Sequence, residues 1–503
     1  MEHQGQFALL RHRVQAPGFQ YLDLPDGWAL SYDKKLPVFF CPRNGILLIG
    51  YAWQSRPDLG SPEEEIEKLA PDPTLQQLFA MEESWCGRYV LIGAGTVLQD
   101  ASSLFCVFYA SNGVSSDCTL LARELGLPEV RYQCGEVMNW MPCPLTHYPG
   151  IKRLLASQCY LLGPGEVCGK PLLASDFPCE DTQLVERFTE LFCHSLNNLA
   201  AQFPERRLLI ALTGGYDSRT LFALAKKAGL DFNAFTLEHD AMLEGDASIP
   251  RILCEKTKTP FVYIERDRDN YSAELEDAYQ RHMAGMVRDE DRLFYAYGQY
   301  QTLMAPYGDV LFLRSSVWEN VIEYFRRLFD EQGPNDEFYS FFELEDGSLE
   351  KRSMEEYFAW CAAHPQPGVC PSDRFLWEQR EGCWLSYIEQ GFDVIDHALT
   401  LQPVNCRLLL SLLMRFPREE RLGKQHQDRI IASACPAIRE VPYATEKLLE
   451  DTTLHYLKTK LAKAVRRLKR MGLKRTVRTY ISIFTYRKEQ KQMEKKSTER
   501  GKR

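Results

Sequence analysis

Residues Arg207–Arg219 read RLLIALTGGYDSR, and the fold turns on how that stretch is read. Leu208-Leu209-Ile210-Ala211-Leu212 is a short aliphatic run broken off by the pair Gly214-Gly215, as in a strand buried on both faces of a parallel sheet. Thr213-Gly214-Gly215-Tyr216-Asp217-Ser218 then supplies hydroxyls, two glycines and a carboxylate. Leu221, Phe222, Leu224, Ala225 and Ala228 follow at helical spacing, and Gly229 closes the segment as a C-terminal cap. Strand, glycine turn and helix together cradle a phosphate. The glycines let backbone N–H groups approach an anion, and the helix N-terminus adds partial positive charge. The spacing lacks the Lys of the Walker loop and does not fit G-x-G-x-x-G.

Working outward, the chain has 503 residues, 45% hydrophobic and 26% charged, which suits a globular protein of roughly two to four domains. The opening MEHQGQFALLRHRVQ holds no apolar run long enough for a signal peptide. No window reaches the ~18 apolar residues of a membrane span, so the expected location is cytoplasmic. The 16 cysteines are scattered, with no C-x-x-C pair and no His/Cys cluster at zinc spacing. They read as small buried hydrophobes in a reducing compartment. Between Lys458 and Arg503 stand 18 Lys/Arg against Glu489, Glu494 and Glu499, a balance of +15 within a formal total of −9. The remaining body therefore carries −24. An acidic body with a basic tail excludes the body as a nucleic-acid binder on charge, and no sequence-specific nucleic acid is expected.

Residues 1–165 look β-rich, with strand-like runs at Ala29–Tyr32, Val38–Cys41, Gly45–Ala52, Arg88–Ile92, Thr96–Gln99 and Leu104–Tyr109. The aperiodic stretch 166–182 reads as a linker. From 183 to 450, helix and strand patterns alternate. Leu184, Val185, Phe188, Leu191, Phe192, Leu196 and Leu199 share one stripe of a helix over Thr182–Phe203. After the loop come strand Phe232–Leu237, a helix opening at Asp246, strand Pro260–Glu265, a helical stretch Tyr271–Gln301 and strand Gly308–Leu313. This alternation predicts a doubly wound parallel sheet. The class is α/β, a β-rich sandwich followed by a parallel-sheet domain with a helical C-terminal part. Trp377–Tyr443 reads as helical throughout, its aromatic stripe as core. The tail 451–503 starts as a basic amphipathic helix and ends in a stretch of disordered composition.

The loop resembles the S-G-G-x-D-S loop of the ATP pyrophosphatases, the PP-loop family, with Thr213 for the first Ser. Further pieces resemble asparagine synthetases. Trp85–Ile92, then Val97-Leu98-Gln99-Asp100 with Phe105–Tyr109, then His147–Leu155 resemble segments of their N-terminal, Ntn-type glutaminase domain. Glutaminases of that class use a Cys directly after the initiator Met. Here the chain begins Met1-Glu2-His3 and its first Cys is Cys41, so the resemblance implies a domain that kept its fold and lost glutamine hydrolysis.

The same resemblance implies ATP and Mg²⁺ as cofactors. It puts Thr213, Gly214, Gly215, Asp217 and Ser218 on the pyrophosphate, Asp217 on the metal, and Leu212 with Leu237 (or Thr236) on the adenine. Asparagine synthetases carry S-G-E-G-S-D-E-L-F-G-G-Y where this chain has Arg314-Ser315-Ser316-Val317-Trp318-Glu319-Asn320-Val321-Ile322-Glu323-Tyr324. Glu319 matches the last family carboxylate, Trp318 stands at the metal-binding Asp, Ser315 at the first Glu, and Arg314 on a Gly. A Mg²⁺ site is left with Asp217 plus Glu319 or Glu323, while Arg314 at a strand end is placed to neutralise pyrophosphate. Asp217, Arg314 and Glu319 are thus the catalytic candidates. Pro403-Val404-Asn405-Cys406-Arg407 resembles the family's P-F-x-D/N-x-R, which makes Asn405 and Arg407 substrate-side candidates. Arg429 or Lys424 stands in for a family phosphate Lys.

The activity so implied is amide-bond formation on a small-molecule or peptide carboxylate, through an acyl-adenylate, with ammonia or an amine displacing AMP. The altered acidic motif makes a non-catalytic ATP-binding scaffold the second reading. A tRNA-modifying thiolase of the PP-loop group is the third, opposed by the lack of paired cysteines and the β-rich first domain. The tail is open to an anionic membrane surface or an acidic partner, and the body to a homodimer.

Overall fold

The computed structural model describes residues 4–130, 138, 140–175, 179–238, 244–265, 274, 277, 300–395 and 397–444. The basic tail, most of the helix expected over Tyr271–Gln301, and His3 lie outside them. Two six-stranded antiparallel sheets form the N-terminal part. Phe7, Leu9 and Leu30 of one sheet pack with Leu47, Ile49, Val90 and Ile92 of the other in a single buried cluster, the face-to-face arrangement that period-two burial produces. On the far side of the second sheet, Ile46, Leu48, Tyr89 and Leu91 are covered by Ile66, Leu78 and Phe79. Those three lie on helices Pro62–Lys68 and Leu75–Glu82, each begun by a full capping box.

Two details depart from the sequence reading. Of the run Leu104–Tyr109 only Phe108 and Tyr109 join a strand, Phe108–Ala110. The Leu104 and Phe105 N–H groups instead donate to the Asp100 carboxylate at 2.9 and 2.8 Å. Glu166–Gly169, inside the stretch read as linker, pairs with Gln158–Leu161 as the last sandwich strand.

The second sheet system is the doubly wound parallel sheet that the α/β reading expects. Its strands are β1 (Arg207–Ala211), β2 (Phe232–Leu237), β3 (Phe261–Ile264), β4 (Val310–Leu313) and β5 (Ala398–Leu401), in the order β3-β2-β1-β4-β5. All four pairings are parallel. β5 falls within the stretch read as helical throughout, so that reading is corrected here. Ala398-Leu399-Thr400-Leu401 is short and holds one β-branched residue, too little local signal for a strand. Its register against β4, from Val310↔Ala398 to Leu313↔Leu401, makes it one. The associated helices are α1 (Leu184–Gln202), α2 (Tyr216–Lys227), α3 (Glu244–Thr257), α4 (Arg407–Met414) and α5 (Gln425–Ala434). The chain runs outward from β1 to β3, then returns to the other flank of β1 as β4. That reversal opens a crevice at the carboxyl ends of β1 and β4, where ligands of such sheets sit.

A buried polar network joins the sandwich to the parallel-sheet part. Glu82, 1% exposed, receives Arg407 Nη1 at 2.6 Å, the Tyr89 hydroxyl at 2.9 Å and Lys170 Nζ at 3.4 Å. Asn405 Nδ2 donates to the Gly87 carbonyl at 2.6 Å and to Asp100 Oδ1 at 2.8 Å. Arg407 Nη2 donates to the Leu173 carbonyl at 2.9 Å. No helix among the described residues is long and apolar enough to cross a membrane. Arg407→Ala takes a cation from a buried carboxylate and strands the carbonyls of Phe79 and Leu173, and should cost about 3–5 kcal/mol in denaturant unfolding. Arg429→Ala, which breaks a surface pair with Glu420, should cost under ~1 kcal/mol.

Candidate functional site

β1 delivers the chain to the crevice, and cross-strand bonds hold its exit. The Leu212 N–H donates to the Phe235 carbonyl at 2.8 Å, and Thr236 Oγ1 donates to the Leu212 carbonyl at 2.6 Å. Leu212 and Thr236 are buried and Leu237 is half-buried at the end of β2. The turn then closes on itself. The Thr213 N–H donates to Ser218 Oγ at 3.0 Å, and the Gly215 N–H to Thr213 Oγ1 at 3.3 Å. The Gly214 N–H donates to Asp246 Oδ1, on α3, at 3.0 Å. A Cβ on Gly214 would lie 2.6 Å from Ala444 Cβ and 2.8 Å from the Gly245 carbonyl oxygen, so only glycine fits. A Cβ on Gly215 would meet nothing closer than Thr213 Oγ1 at 3.5 Å, so that flank of the loop is open. α2 begins there without a side-chain cap, which leaves its first turn and the positive end of its dipole to an anion.

Residues from the far end of the chain close over this loop. Asp217, in the first turn of α2, accepts from Gln427 Nε2 at 2.8 Å and pairs with Lys424 Nζ at 3.4 Å. Lys424 introduces α5 with a left-handed φ of 56°, a conformation a lysine keeps only where its surroundings fix it. Of the two basic residues open from sequence, Lys424 reaches the loop, while Arg429 pairs with Glu420 at the surface. Tyr443 stacks on Tyr216 with centroids 3.7 Å apart and lies under the Arg219 guanidinium at 3.8 Å. Arg219 also donates to the carbonyls of Val441 and Pro442 at 2.6 and 2.7 Å, and the Ala444 N–H to that of Gly214 at 3.0 Å. Residues 441–444 thus form a strap along the loop.

The opposite wall follows β4. Trp318 is 1% exposed and packs on Phe188 and Phe192 of α1, at 5.4 and 5.8 Å between centroids. The position matched to a metal-binding Asp is therefore core. Glu323 is held by Arg418, 2.6 Å from its Oε2, and so is committed away from the loop. Glu319 is the wall carboxylate that shares the site with Asp217. Burial first, and then the Asp217 charge, push its carboxyl up, while Lys424 and Arg380 act downward. Arg314 pairs with Glu389 and lies 5.1 Å over the Phe392 ring, so the charge expected to neutralise pyrophosphate is balanced by a buried carboxylate. Asn405 and Arg407, expected on the substrate side, stand in the network behind the sandwich, where Gly87, Asp100, Glu82 and Leu173 take up their donors.

Glu381 joins this wall and was not among the sequence candidates. It lies on Leu376–Leu385, where the helix widens to π geometry, a rare form concentrated at functional sites. Glu381 is buried with Oε2 unpartnered. Burial and then the Glu319 charge push it well above the carboxylate range, with Arg380 and Arg314 acting downward. The signal for it was charge within a core helix: Glu378, Glu381 and Glu389 interrupt the aromatic stripe of Trp377, Trp384 and Tyr387. Asp217 and Glu319 are like charges sharing one site, which a divalent cation relieves. Mg²⁺ takes one or two carboxylates together with phosphate oxygens, so these residues fit it.

No family model matches the chain, and neither does any curated protein sequence. Solved structures with similarity include NMN synthetase from Francisella tularensis, at 13% identity over 41% of this chain and 95% of that one, with a TM-score of 0.22. NH3-dependent NAD synthetase from Campylobacter jejuni matches at 10% identity, over 42% and 97% of the two chains, with a TM-score of 0.22. The U34-tRNA thiolase NcsA from Methanococcus maripaludis matches at 11%, over 64% and 86%, with a TM-score of 0.24. Likenesses this remote do not say what the present chain binds.

The placement of Lys424 and Gln427 depends on α5, and α5 buries His426. Its Nδ1–H donates to the Glu420 carbonyl at 3.2 Å, and burial holds the imidazole down at about 4. The unfolded chain takes up this proton near the ordinary 6.5, so the contribution to stability is complete above that pH. It is lost as pH falls towards 4, by roughly 3 kcal/mol in all. His426→Asn, which keeps a donor for Glu420, should flatten the fall in denaturant midpoint across that pH range.

Proposed function

We propose that this chain is an ATP-dependent ligase that adenylates a carboxylate with release of pyrophosphate and then transfers the acyl group to a nitrogen nucleophile with release of AMP. One observation carries the reading. An uncapped helix N-terminus behind a glycine loop stands, at the strand-order reversal, against an acidic wall of half-buried Glu319 and buried Glu381.

In this reading the open flank of the loop, with the hydroxyls of Thr213 and Ser218, takes the β- and γ-phosphates. Leu212 and Leu237 border the adenine. Asp217 and Glu319 would hold Mg²⁺, which when bound supplies charge neutralisation on the phosphates. Lys424, 3.4 Å from Asp217, is the cation placed to follow the departing pyrophosphate. A carboxylate oxygen of the substrate attacks the α-phosphorus as the bond to pyrophosphate breaks. The nitrogen then attacks the acyl carbon, the bond from that carbon to the phosphate oxygen breaks, and AMP leaves with the oxygen. Most of the rate comes from positioning and fixed charge. Glu381, raised by burial and with an unpartnered oxygen, is the group able to take the proton that the nitrogen must lose. The resemblance to asparagine synthetases supports ammonia as one nitrogen nucleophile in this reading.

Trp318 favours a second reading, nucleotide binding without chemistry, because it removes a carboxylate from the wall. The two separate in one assay, in which purified protein, ATP and Mg²⁺ are offered a panel of carboxylates with ammonia or amines. Pyrophosphate and AMP should appear with the right substrate, and Asp217→Ala should lower their release by about 10²–10³-fold or more. Glu381→Gln should slow amide formation while pyrophosphate exchange into ATP persists. Nucleotide binding with no pyrophosphate release across the whole panel would select the second reading.

A further inference from the structure

Cys159 and Cys168 sit opposite each other on the paired strands Gln158–Leu161 and Glu166–Gly169. Their Sγ atoms are 2.8 Å apart. Directly opposed antiparallel residues have Cα atoms about 4.5–5.5 Å apart, within the roughly 4.4–6.8 Å that a disulfide spans. Cys159 is fully buried, while Cys168 is only partly covered. One thiol is therefore open to a small oxidant and the other waits behind it. This is the usual division between a thiol that is attacked and a thiol that resolves. The Lys170 ammonium acts on Cys159 in the direction of the thiolate, against the larger effect of burial.

The base of this hairpin is also where the first domain grips the second. The Ser157 N–H donates to Glu378 Oε1 at 3.1 Å, and Arg374 Nη2 donates to Ser157 Oγ at 3.0 Å. Lys170 donates its N–H to the Ser157 carbonyl at 2.8 Å, reaches Glu82 at 3.4 Å, and accepts from Gln366 Nε2 at 3.0 Å. A covalent tie two residues from each of these anchors would clamp the interdomain seam.

We propose that Cys159 and Cys168 form a reversible cross-strand disulfide in response to peroxide, and that the disulfide stiffens the grip of the hairpin on the second domain. The Cys168 thiol attacks a peroxide oxygen to give a sulfenic acid and one water. The Cys159 thiol then attacks that sulfur, expelling a second water as the S–S bond forms. The two cysteines are oxidised by two electrons and the peroxide is reduced by two.

The test uses the full chain, reduced, desalted, treated with hydrogen peroxide, alkylated and cleaved after Glu166 without reductant. The fragments bearing Cys159 and Cys168 should stay joined, should lie about 2 Da below the sum of their reduced forms, and should separate on reduction. Cys159→Ser and Cys168→Ser should each abolish the joined species. Fragments that separate without reductant, or Cys168 oxidised to acids with no link to Cys159, would overturn the proposal. The oxidised wild type should also melt about 2–4 °C above the reduced form, a rise that Cys159→Ser should lack. A disulfide formed with no such rise would overturn the clamp.

Discussion

The carboxylate of Asp217 is held by two side chains more than two hundred residues away in sequence, Lys424 and Gln427. The rest of the site depends on that contact. It ties the first turn of α2 to the start of α5 and brings a lysine to the mouth of the phosphate loop. Each partner needs the other: Lys424 without Asp217 would be a half-buried cation in a left-handed conformation, and Asp217 without Lys424 would leave Glu319 facing a like charge with little to offset it. Opposed charges in a partly dry site are worth far more than at the surface, so this arrangement gives α5 one orientation.

A second set of buried charges does a different job. Glu82, Lys170, Arg407 and Asn405 lie in the seam between the sandwich and the parallel sheet. Such networks contribute less to net stability than well-packed apolar groups of the same volume, but their directional bonds leave one geometry of docking. Asn405 and Arg407 belong to this set. Their resemblance to a substrate-side motif is real as sequence, yet their donors go to the sandwich residues Gly87, Asp100 and Glu82. A short polar motif cannot say which neighbour it will meet.

The acidic wall shows the same limit from the other side. Trp318 occupies a position matched to a carboxylate and proves to be core, packed on α1. Glu381 was read as part of an aromatic helix and proves to be a buried acid with an unpartnered oxygen. Glu381 follows the buried Trp377 by four positions on the helix that widens to π geometry, and an apolar periodicity carries no mark for a single acid on the core face. Arg314 stands at the strand end where it was expected, but its charge is spent on Glu389.

Local chemistry was legible. The sequence alone determined the β1–loop–α2 unit, the stripe of α1, the extents of β2 to β4 within a residue or two, and the β-rich first part. Each rests on hydrophobic period and turn residues within a dozen positions, where propensity and pattern agree. Tertiary structure alone decided that Ala398–Leu401 is a strand, that Lys424 and not Arg429 meets the loop, that Glu319 and not Glu323 shares the site with Asp217, and that Glu381 completes the wall. These are settled by pairings between segments tens to hundreds of residues apart. Register and packing there select one partner among several that are chemically equal, and no local pattern records the choice.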